Sequence, residues 1–311
     1  MPVLTVIIPN YNHSPFLKRR MESIFNQTFQ DFEVILLDDC STDNSREIIE
    51  TYRNHEKVKE IVYNQNNSGA PIFQWLKGIA LANSEWIYIA ESDDTCHSRL
   101  FEDLAPQLSY PDLVLAMTEV QFINEADESI LRFSSLGKLQ QEGLTFVRQH
   151  MLTNCYLCNS GMAIFRKSAI PPTGSWLQEL KYSPDYYFWI YIMLQGRIYS
   201  NGEVLANFRK HAREFTHGKW DSLTEHADHA HMLYLLKQQD LLSSADIEFV
   251  ITYKLVGLAT RRKGMNTNTY DAYSQCWRQL ADKCGLNINA KRIAWLTFQR
   301  KLRHRLGLQY S

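Results

Sequence analysis

The sequence predicts an α/β protein: a mostly parallel sheet flanked by helices, followed by an α-helical C-terminal extension. Three observations lead there. Between Leu4 and Met117, short runs rich in Val, Ile and Leu alternate with segments whose apolar residues recur at helical spacing. Several of these runs end in polar, acidic loops, and parallel sheets bind their ligands beyond the carboxyl ends of their strands. Beyond Trp220 the strand-like runs cease and helical periodicity takes over.

Leu4 to Ile8 is the first strand, stopped by the turn signal Pro9-Asn10-Tyr11-Asn12. Pro15 to Phe25 then carries Phe16, Leu17, Met21, Ile24 and Phe25 on a helical face. Glu33 to Leu37 is the second strand, and its loop Asp38-Asp39-Cys40-Ser41-Thr42-Asp43 supplies caps for a helix over Asn44 to Tyr52. Val58 to Tyr63 and a helix over Ile72 to Ala82 follow. Trp86 to Ala90 is the fourth strand and runs into Glu91-Ser92-Asp93-Asp94; a helix near Leu100 to Leu108 leads to a fifth strand at Leu113 to Met117. From Phe122 to Gly143 the pattern is lost in a polar stretch. A helix over Leu144 to Leu152, a strand at Gly161 to Arg166, a helix opening at Ser183-Pro184-Asp185 and a last strand at Glu203 to Phe208 complete a first domain, 1–215. Helices over Trp220 to Gln238, Ala245 to Lys263, Tyr270 to Cys284 and Ala290 to Leu306 make up the extension, 216–311.

At 311 residues with 45% hydrophobic content the chain can bury a proper core, and a net charge of -1 argues against a nucleic-acid partner. The charge is unevenly placed: from Lys291 onward there are six basic residues and no acid, which leaves the preceding chain at -7. On this last helix Trp295, Phe298, Leu302 and Leu306 lie close to one face. Two readings stay open, an anionic membrane surface or an apolar stripe docked on the core. The start of the chain lacks a secretory signal, and no apolar run approaches the roughly 20 residues of a spanning helix. A cytoplasmic protein, peripheral at the inner face of the membrane if the terminal helix binds lipid, is the expectation.

Six scattered cysteines read as free thiols. Cys155 and Cys158 have zinc-knuckle spacing but no second pair at a matching interval. No glycine-rich phosphate loop follows any strand, so an ordinary dinucleotide enzyme or P-loop NTPase is disfavoured. The cluster Glu91, Asp93 and Asp94 is the main chemical signal, because like charges at a strand end persist most easily where a hard cation offsets their repulsion. The plain alternative is a set of caps for the next helix. His226, His229 and His231 read as a solvated helix face.

The residues also resemble a known family. Thr5-Val6-Ile7-Ile8-Pro9-Asn10-Tyr11-Asn12, Ser23-Ile24-Phe25-Asn26-Gln27-Thr28-Phe29 and Asp31-Phe32-Glu33-Val34-Ile35-Leu36-Leu37-Asp38-Asp39-Cys40-Ser41-Thr42-Asp43 closely resemble the amino-terminal signature of family 2 glycosyltransferases, with Ser92-Asp93-Asp94 in its expected place. The resemblance implies a GT-A fold, a Rossmann-like sheet that binds a UDP-sugar with a divalent metal, Mn²⁺ or Mg²⁺, and transfers the sugar with inversion to a glycan or lipid-linked acceptor of surface polysaccharide synthesis. It places Pro9, Tyr11 and Asp39 in the nucleotide site, with Tyr11 against the base and Asp39 accepting a hydrogen bond from uracil. Of Asp93 and Asp94, one is expected to contact the ribose and the other the metal. Glu91 stands where the motif usually has its first Asp. Asp185, preceded by Pro184 where a Glu often stands, matches the catalytic base. Arg209 would offset phosphate charge and His211 would contact diphosphate or metal. A nucleotidyltransferase is disfavoured by the missing Gly- and Lys-containing start after Ile8. A catalytically silent, nucleotide-sugar-binding subunit of a polysaccharide assembly is the alternative that Glu91 and Pro184 keep open.

Overall fold

The structure is a computed structural model and describes residues 2–132, 136–211 and 222–305. The chain divides into two compact units, one of 1–147, 156–171 and 192–215, the other of 148–155, 172–191 and 216–311.

The first unit is built on one mixed sheet. Its strands are β1 (Leu4–Asn10), β2 (Phe32–Asp38), β3 (Val58–Tyr63), β4 (Trp86–Ile89), β5 (Thr95–Cys96), β6 (Leu113–Ile123), β7 (Ser129–Arg132), β8 (Lys138–Glu142), β9 (Ala163–Arg166) and β10 (Arg197–Arg209). They run in the order β3-β2-β1-β4-β9-β6-β10-β5, with β7 on β6 and β8 on β10. β3, β2, β1 and β4 are mutually parallel, and β9 lies antiparallel between β4 and β6. All seven residues of β1 are buried, as expected of a strand covered on both faces. Val6, Ile7, Val34, Ile35, Ile87 and Ile89 are fully buried, each contributing about 1.5–3 kcal/mol of transfer free energy.

The covering helices are α1 (Ser14–Phe25), α2 (Ser45–Glu50), α3 (Pro71–Leu81), α4 (Leu100–Leu104) and α5 (Gly143–Phe146). α1 starts with proline in its first turn and buries Phe16, Leu17, Arg20, Met21 and Ile24, an apolar stripe interrupted by one cation. α3 lies so close to β1 that a Cβ at Gly78 would overlap the Ile7 side chain. The stretch expected to lose regular structure instead continues β6 to Ile123 and forms β7 and β8. β8 escapes notice in the sequence because its five residues, Lys-Leu-Gln-Gln-Glu, alternate only between half-buried and exposed. β10 likewise begins well before the expected Glu203, with an irregular register after Ser200 and a left-handed Gly202 (φ 75°) marking the break.

The second unit is helical. It contains α6 (Trp176–Glu179), the start of α7 (Pro184–Met193), α8 (Leu223–Gln238), α9 (Ser244–Arg261), α10 (Thr267–Lys283) and α11 (Ala290–Arg305). The expected start of α8 at Trp220 and the last residue expected of α11, Leu306, lie outside the described residues. A sequence-based boundary near 215 does not separate the units cleanly, since 148–155 and 172–191 group with the helices. Polar ties explain the grouping: Arg148 pairs with Asp246 through two hydrogen bonds (2.7 and 3.0 Å), Gln239 donates to Tyr187 (2.8 Å), and Asp228 accepts from the backbone N–H of Tyr182. α9 opens with a reciprocal cap between Ser243 and Asp246.

The histidine cluster on α8 is a correction. His226 and His229 are buried rather than solvated, because Trp277 donates its indole N–H to His226 Nδ1 (3.0 Å) and its ring stands edge-on to His229 (5.4 Å between centroids). Burial drives the His229 pKa well below the ordinary imidazole value, so it serves as a neutral core group. α11 settles against α9 with Thr297 buried, while Trp295, Phe298 and Leu302 are exposed, at 58%, 64% and 44%. The apolar row of the terminal helix therefore faces outward. No helix among the described residues is long and apolar enough to cross a membrane.

Candidate active site

The carboxyl ends of β1, β2, β3 and β4 lie side by side, with Asn10 in register with Asp38 and Asp38 with Tyr63. Pro9 is a buried member of β1 opposite Leu37, so it shapes the strand that carries the loop. Tyr11, next but one, is 45% exposed at this edge. The loops are stitched together: Asn10 donates to Asp38 (3.1 Å) and Ser41 (3.0 Å), and Asn12, in a left-handed conformation, accepts from the Thr42 N–H (2.8 Å).

Asp39 is 5% exposed, and its carboxylate accepts hydrogen bonds from five donors: the side chains of Asn64, Asn67, Ser68 and Gln74 and the backbone N–H of Ser68. Both oxygens are occupied by this loop after β3. A nucleobase imide would have to displace one of these donors to reach it.

The acidic loop after β4 resolves into three environments. Glu91 accepts from the indole N–H of Trp75 (2.7 Å) and from Ser160 (3.4 Å), and burial next to Asp93 pushes its pKa up to about 8. Trp75 is thus a buried partner of the acidic loop. Asp94 is 1% exposed and turned inward, Oδ1 accepting the Arg209 backbone N–H (2.7 Å) and Oδ2 the Asn159 amide (2.7 Å). Burial and the Asp93 charge raise its pKa to about 7, against the pull of Arg20. Arg20 itself is wholly buried and donates Nε–H to the Glu91 carbonyl (2.7 Å), setting a positive charge beneath the loop.

Asp93 is half-buried and grouped with imidazoles. Its Oδ2 lies 3.0 Å from His211 Nε2 and 3.9 Å from His13 Nε2, and the three residues each offer a ligand atom within 4.8 Å of the others. Burial opposes ionisation here, yet the hydrogen bond from His211 and the nearby imidazoles hold the Asp93 pKa below the ordinary carboxylate value. Imidazole and carboxylate donors converging at one point suit a divalent ion. Of the two aspartates, Asp93 is the one grouped with imidazoles, whereas both Asp94 oxygens are taken up by protein donors. Arg209 is likewise committed: fully buried, it donates to the carbonyls of Asp93 (2.6 Å) and Asn124 (2.6 Å) and pairs with Asp127. It fixes loops and does not present a free cation to phosphates.

A model described as Glycosyl transferase family 2 matches residues 5–171. The chain belongs to glycosyl transferase family 2. An uncharacterized glycosyltransferase of Nostoc sp. is 30% identical over 53% of the chain and 51% of its own length. The poly(ribitol-phosphate) beta-N-acetylglucosaminyltransferase TarP of Staphylococcus aureus is 33% identical over 33% of the chain and 32% of its own length. The chain thus spans about half or less of these curated relatives. Residues 1–349 of S. aureus TarS, solved in complex with UDP-GlcNAc, superpose with a TM-score of 0.68 at 19% identity, covering 99% of this chain and 93% of that one, and share its GT-A fold.

Against the family 2 expectations, the structure brings Asp93 and His211 together and leaves Asp94 and Arg209 buried in supporting contacts. His13 was not singled out in the sequence, and Asn159, read there only as lying near the acceptor side with no role, donates to Asp94. The signal for His13 was its place directly after the Asn10-Tyr11-Asn12 turn, on the ligand edge. Asp185 belongs to the second unit, in the first turn of α7, where it is exposed and takes the Tyr186 N–H at 2.9 Å. Although the residue as a whole keeps an open side, the protein crowded around its carboxyl disfavours the charge and raises its pKa, partly offset by that N–H. Cys155 and Cys158 form no disulfide, and among the described residues no group of metal-ligating side chains includes them.

Proposed function

We propose that the chain is an inverting glycosyltransferase that moves a sugar from a UDP-sugar to a hydroxyl of a glycan or lipid-linked glycan acceptor in surface polysaccharide synthesis. The observation that carries this reading is the Asp93–His211 pair on the ligand edge of a family 2 sheet, the same edge that holds Tyr11 and Asp39. Tyr11 offers an exposed aromatic face to a planar base, and Asp39 with its loop recognises the uracil ring. A divalent ion held by Asp93 and His211, Mn²⁺ or Mg²⁺, would supply Lewis-acid neutralisation of the charge that grows on UDP.

Asp185 is the proposed base. The acceptor oxygen attacks the anomeric carbon, its proton passes to the Asp185 carboxylate, and the bond to the diphosphate breaks with its electron pair leaving on UDP. A raised pKa suits this task, because it brings a carboxylate closer to the basicity that proton removal requires. Activity needs the ionised form, so it falls as pH drops through the Asp185 pKa, and that limb lies above the ordinary carboxylate value of 3.8.

UDP titration with and without Mn²⁺, followed by UDP-release assays over a panel of UDP-sugars, tests the reading. UDP-GlcNAc is the first donor to try, given its complex with TarS, and a poly(ribitol-phosphate) the first acceptor, given the name of TarP. Asp185→Asn should keep UDP affinity, lose about 10²–10⁴ in kcat, and lose the acid limb. Wild-type transfer by that variant removes Asp185 as base. UDP binding with no turnover of any donor would leave a silent subunit.

The reading extends to location: cytoplasmic, peripheral at the inner face of an anionic membrane through α11. Its exposed Trp295, Phe298 and Leu302 share the helix with Lys291, Arg292, Arg300, Lys301 and Arg303, and exposed Phe249 lies on the adjoining α9. The full chain should sediment with phosphatidylglycerol vesicles, less so as salt rises, and the Trp295→Ala/Phe298→Ala double variant should bind several-fold more weakly. Equal binding by the variant would refute this face.

A further inference from the structure

We propose that His13 is a third protein ligand of the metal site, so that this chain presents two imidazoles and one carboxylate and takes a transition ion of the Mn²⁺–Zn²⁺ series in preference to Mg²⁺. The inference rests on the reading that a divalent ion sits at Asp93 and His211, and it goes further by fixing the donor set and thereby the ion.

His13 is built into place. It is the residue before α1, and its carbonyl accepts the N–H groups of Phe16 and Leu17, both at 2.9 Å, so the backbone at this position is fixed by the first turn of a 12-residue helix. Its Nδ1 lies 2.9 Å from Ser92 Oγ, in the acidic loop itself. That contact orients the ring and leaves Nε2 as the atom nearer Asp93, the arrangement in which a ligating histidine is held by a hydrogen bond through its other nitrogen. The two imidazoles stand edge to face, with ring centroids 5.7 Å apart, and Phe16 packs 5.0 Å from His211. Donors that share one ion at about 2.1 Å lie about 3–3.5 Å apart. The Asp93–His211 separation of 3.0 Å already meets that spacing, His13 stands 3.9 Å from Asp93, and the three ligand atoms lie within 4.8 Å of one another, so the group closes on one ion with a shift of up to about 1–2 Å. The side chain of His211 is 1% exposed, Asp93 15% and His13 21%, so the group is walled on the His211 side and open on the other, where a ligand oxygen can enter.

The chemistry follows from the donors. Mg²⁺ prefers oxygen ligands and keeps much of its water, whereas imidazole nitrogen favours the later first-row ions, with affinity rising from Mn²⁺ through Co²⁺ and Ni²⁺. A single histidine beside a carboxylate leaves that preference weak; a second one strengthens it. His13 should therefore matter greatly to Co²⁺ and little to Mg²⁺.

The test uses the full chain, wild type, His13→Ala, His13→Gln and His211→Ala, each confirmed folded by its thermal transition in EDTA. Co²⁺ binding is read from its visible d–d absorption, and Mn²⁺ and Mg²⁺ by competition, with and without UDP. The expected result is tighter binding of Co²⁺ than of Mn²⁺ and of Mn²⁺ than of Mg²⁺. Both His13 variants should weaken Co²⁺ by about 10–100-fold or more with an altered spectrum, while Mg²⁺ changes by less than about threefold. Co²⁺ affinity and spectrum unchanged in both His13 variants but lost in His211→Ala would overturn the third ligand and leave the metal site standing. Absence of binding by any ion to wild type, even with UDP, would overturn the metal reading along with this one.

Discussion

Asp39 and Asp93 lie on the same sheet edge, just beyond β2 and β4, the two strands that flank β1, yet their surroundings are opposite in kind. Asp39 is enclosed by uncharged amide, hydroxyl and backbone donors, all from a single loop and the helix after it. Asp93 has two imidazoles drawn from distant points of the chain, one before α1 and one beyond β10. Neutral donors satisfy a buried carboxylate by hydrogen bonding and tie it to the loop that supplies them. Imidazoles satisfy it conditionally, since an ion can take the place of the proton they share. The difference separates a carboxylate held by its own loop, which a ligand reaches only in competition with that loop, from one whose partners are themselves metal-ligating side chains.

Replacing each by its amide breaks the comparison most directly. Asp93→Asn removes the anionic donor between the two histidines and should cost about 10²–10³ in turnover, together with metal-dependent UDP affinity, while leaving the thermal transition in EDTA close to wild type. Calorimetric titration of UDP with and without Mn²⁺ reads the first part and a melting curve the second. A variant that melts far below wild type but still binds UDP and metal would reverse the assignment of scaffold and site.

Much of this edge was legible in the sequence. The buried runs of β1, β2 and β4 announce a parallel sheet, and a parallel sheet announces where its ligands go. What the sequence could not separate is Asp93 from Asp94. Adjacent residues point in different directions, and the direction is set by partners far along the chain: Asn159, 65 residues on, claims Asp94, while His211, 118 residues on, lies against Asp93. Arg209 misled for a related reason. A cation after the last strand looks like a phosphate ligand until Asp127 and two carbonyls are seen to consume it. The place of Asp185 in the helical unit was equally hidden, because Tyr182 and Tyr187 are tied to Asp228 and Gln239, which follow by 46 and 52 residues.

The comparison is sharpened by the smaller effect expected at Asp39. Asp39→Asn would turn an N–H₂ toward donors, leaving at least one of them facing another donor in a buried place, at a cost of about 1–3 kcal/mol of stability. Ser68→Ala removes one hydroxyl donor and leaves the backbone N–H of the same residue in place, so it should cost only about 0.5–1.5 kcal/mol. If the carboxylate and the loop act as one unit, the double variant will lose less than the sum, since the Ser68 hydroxyl has no anion left to serve. Denaturant unfolding of all four proteins measures that coupling. UDP affinity in the same set decides what the network is for: uracil must compete with these donors for Asp39, so Ser68→Ala should bind UDP as tightly as wild type or more tightly, despite its lower stability. Weaker UDP binding by Ser68→Ala would mean that the loop itself makes the contact with the base and that Asp39 serves only to hold the loop.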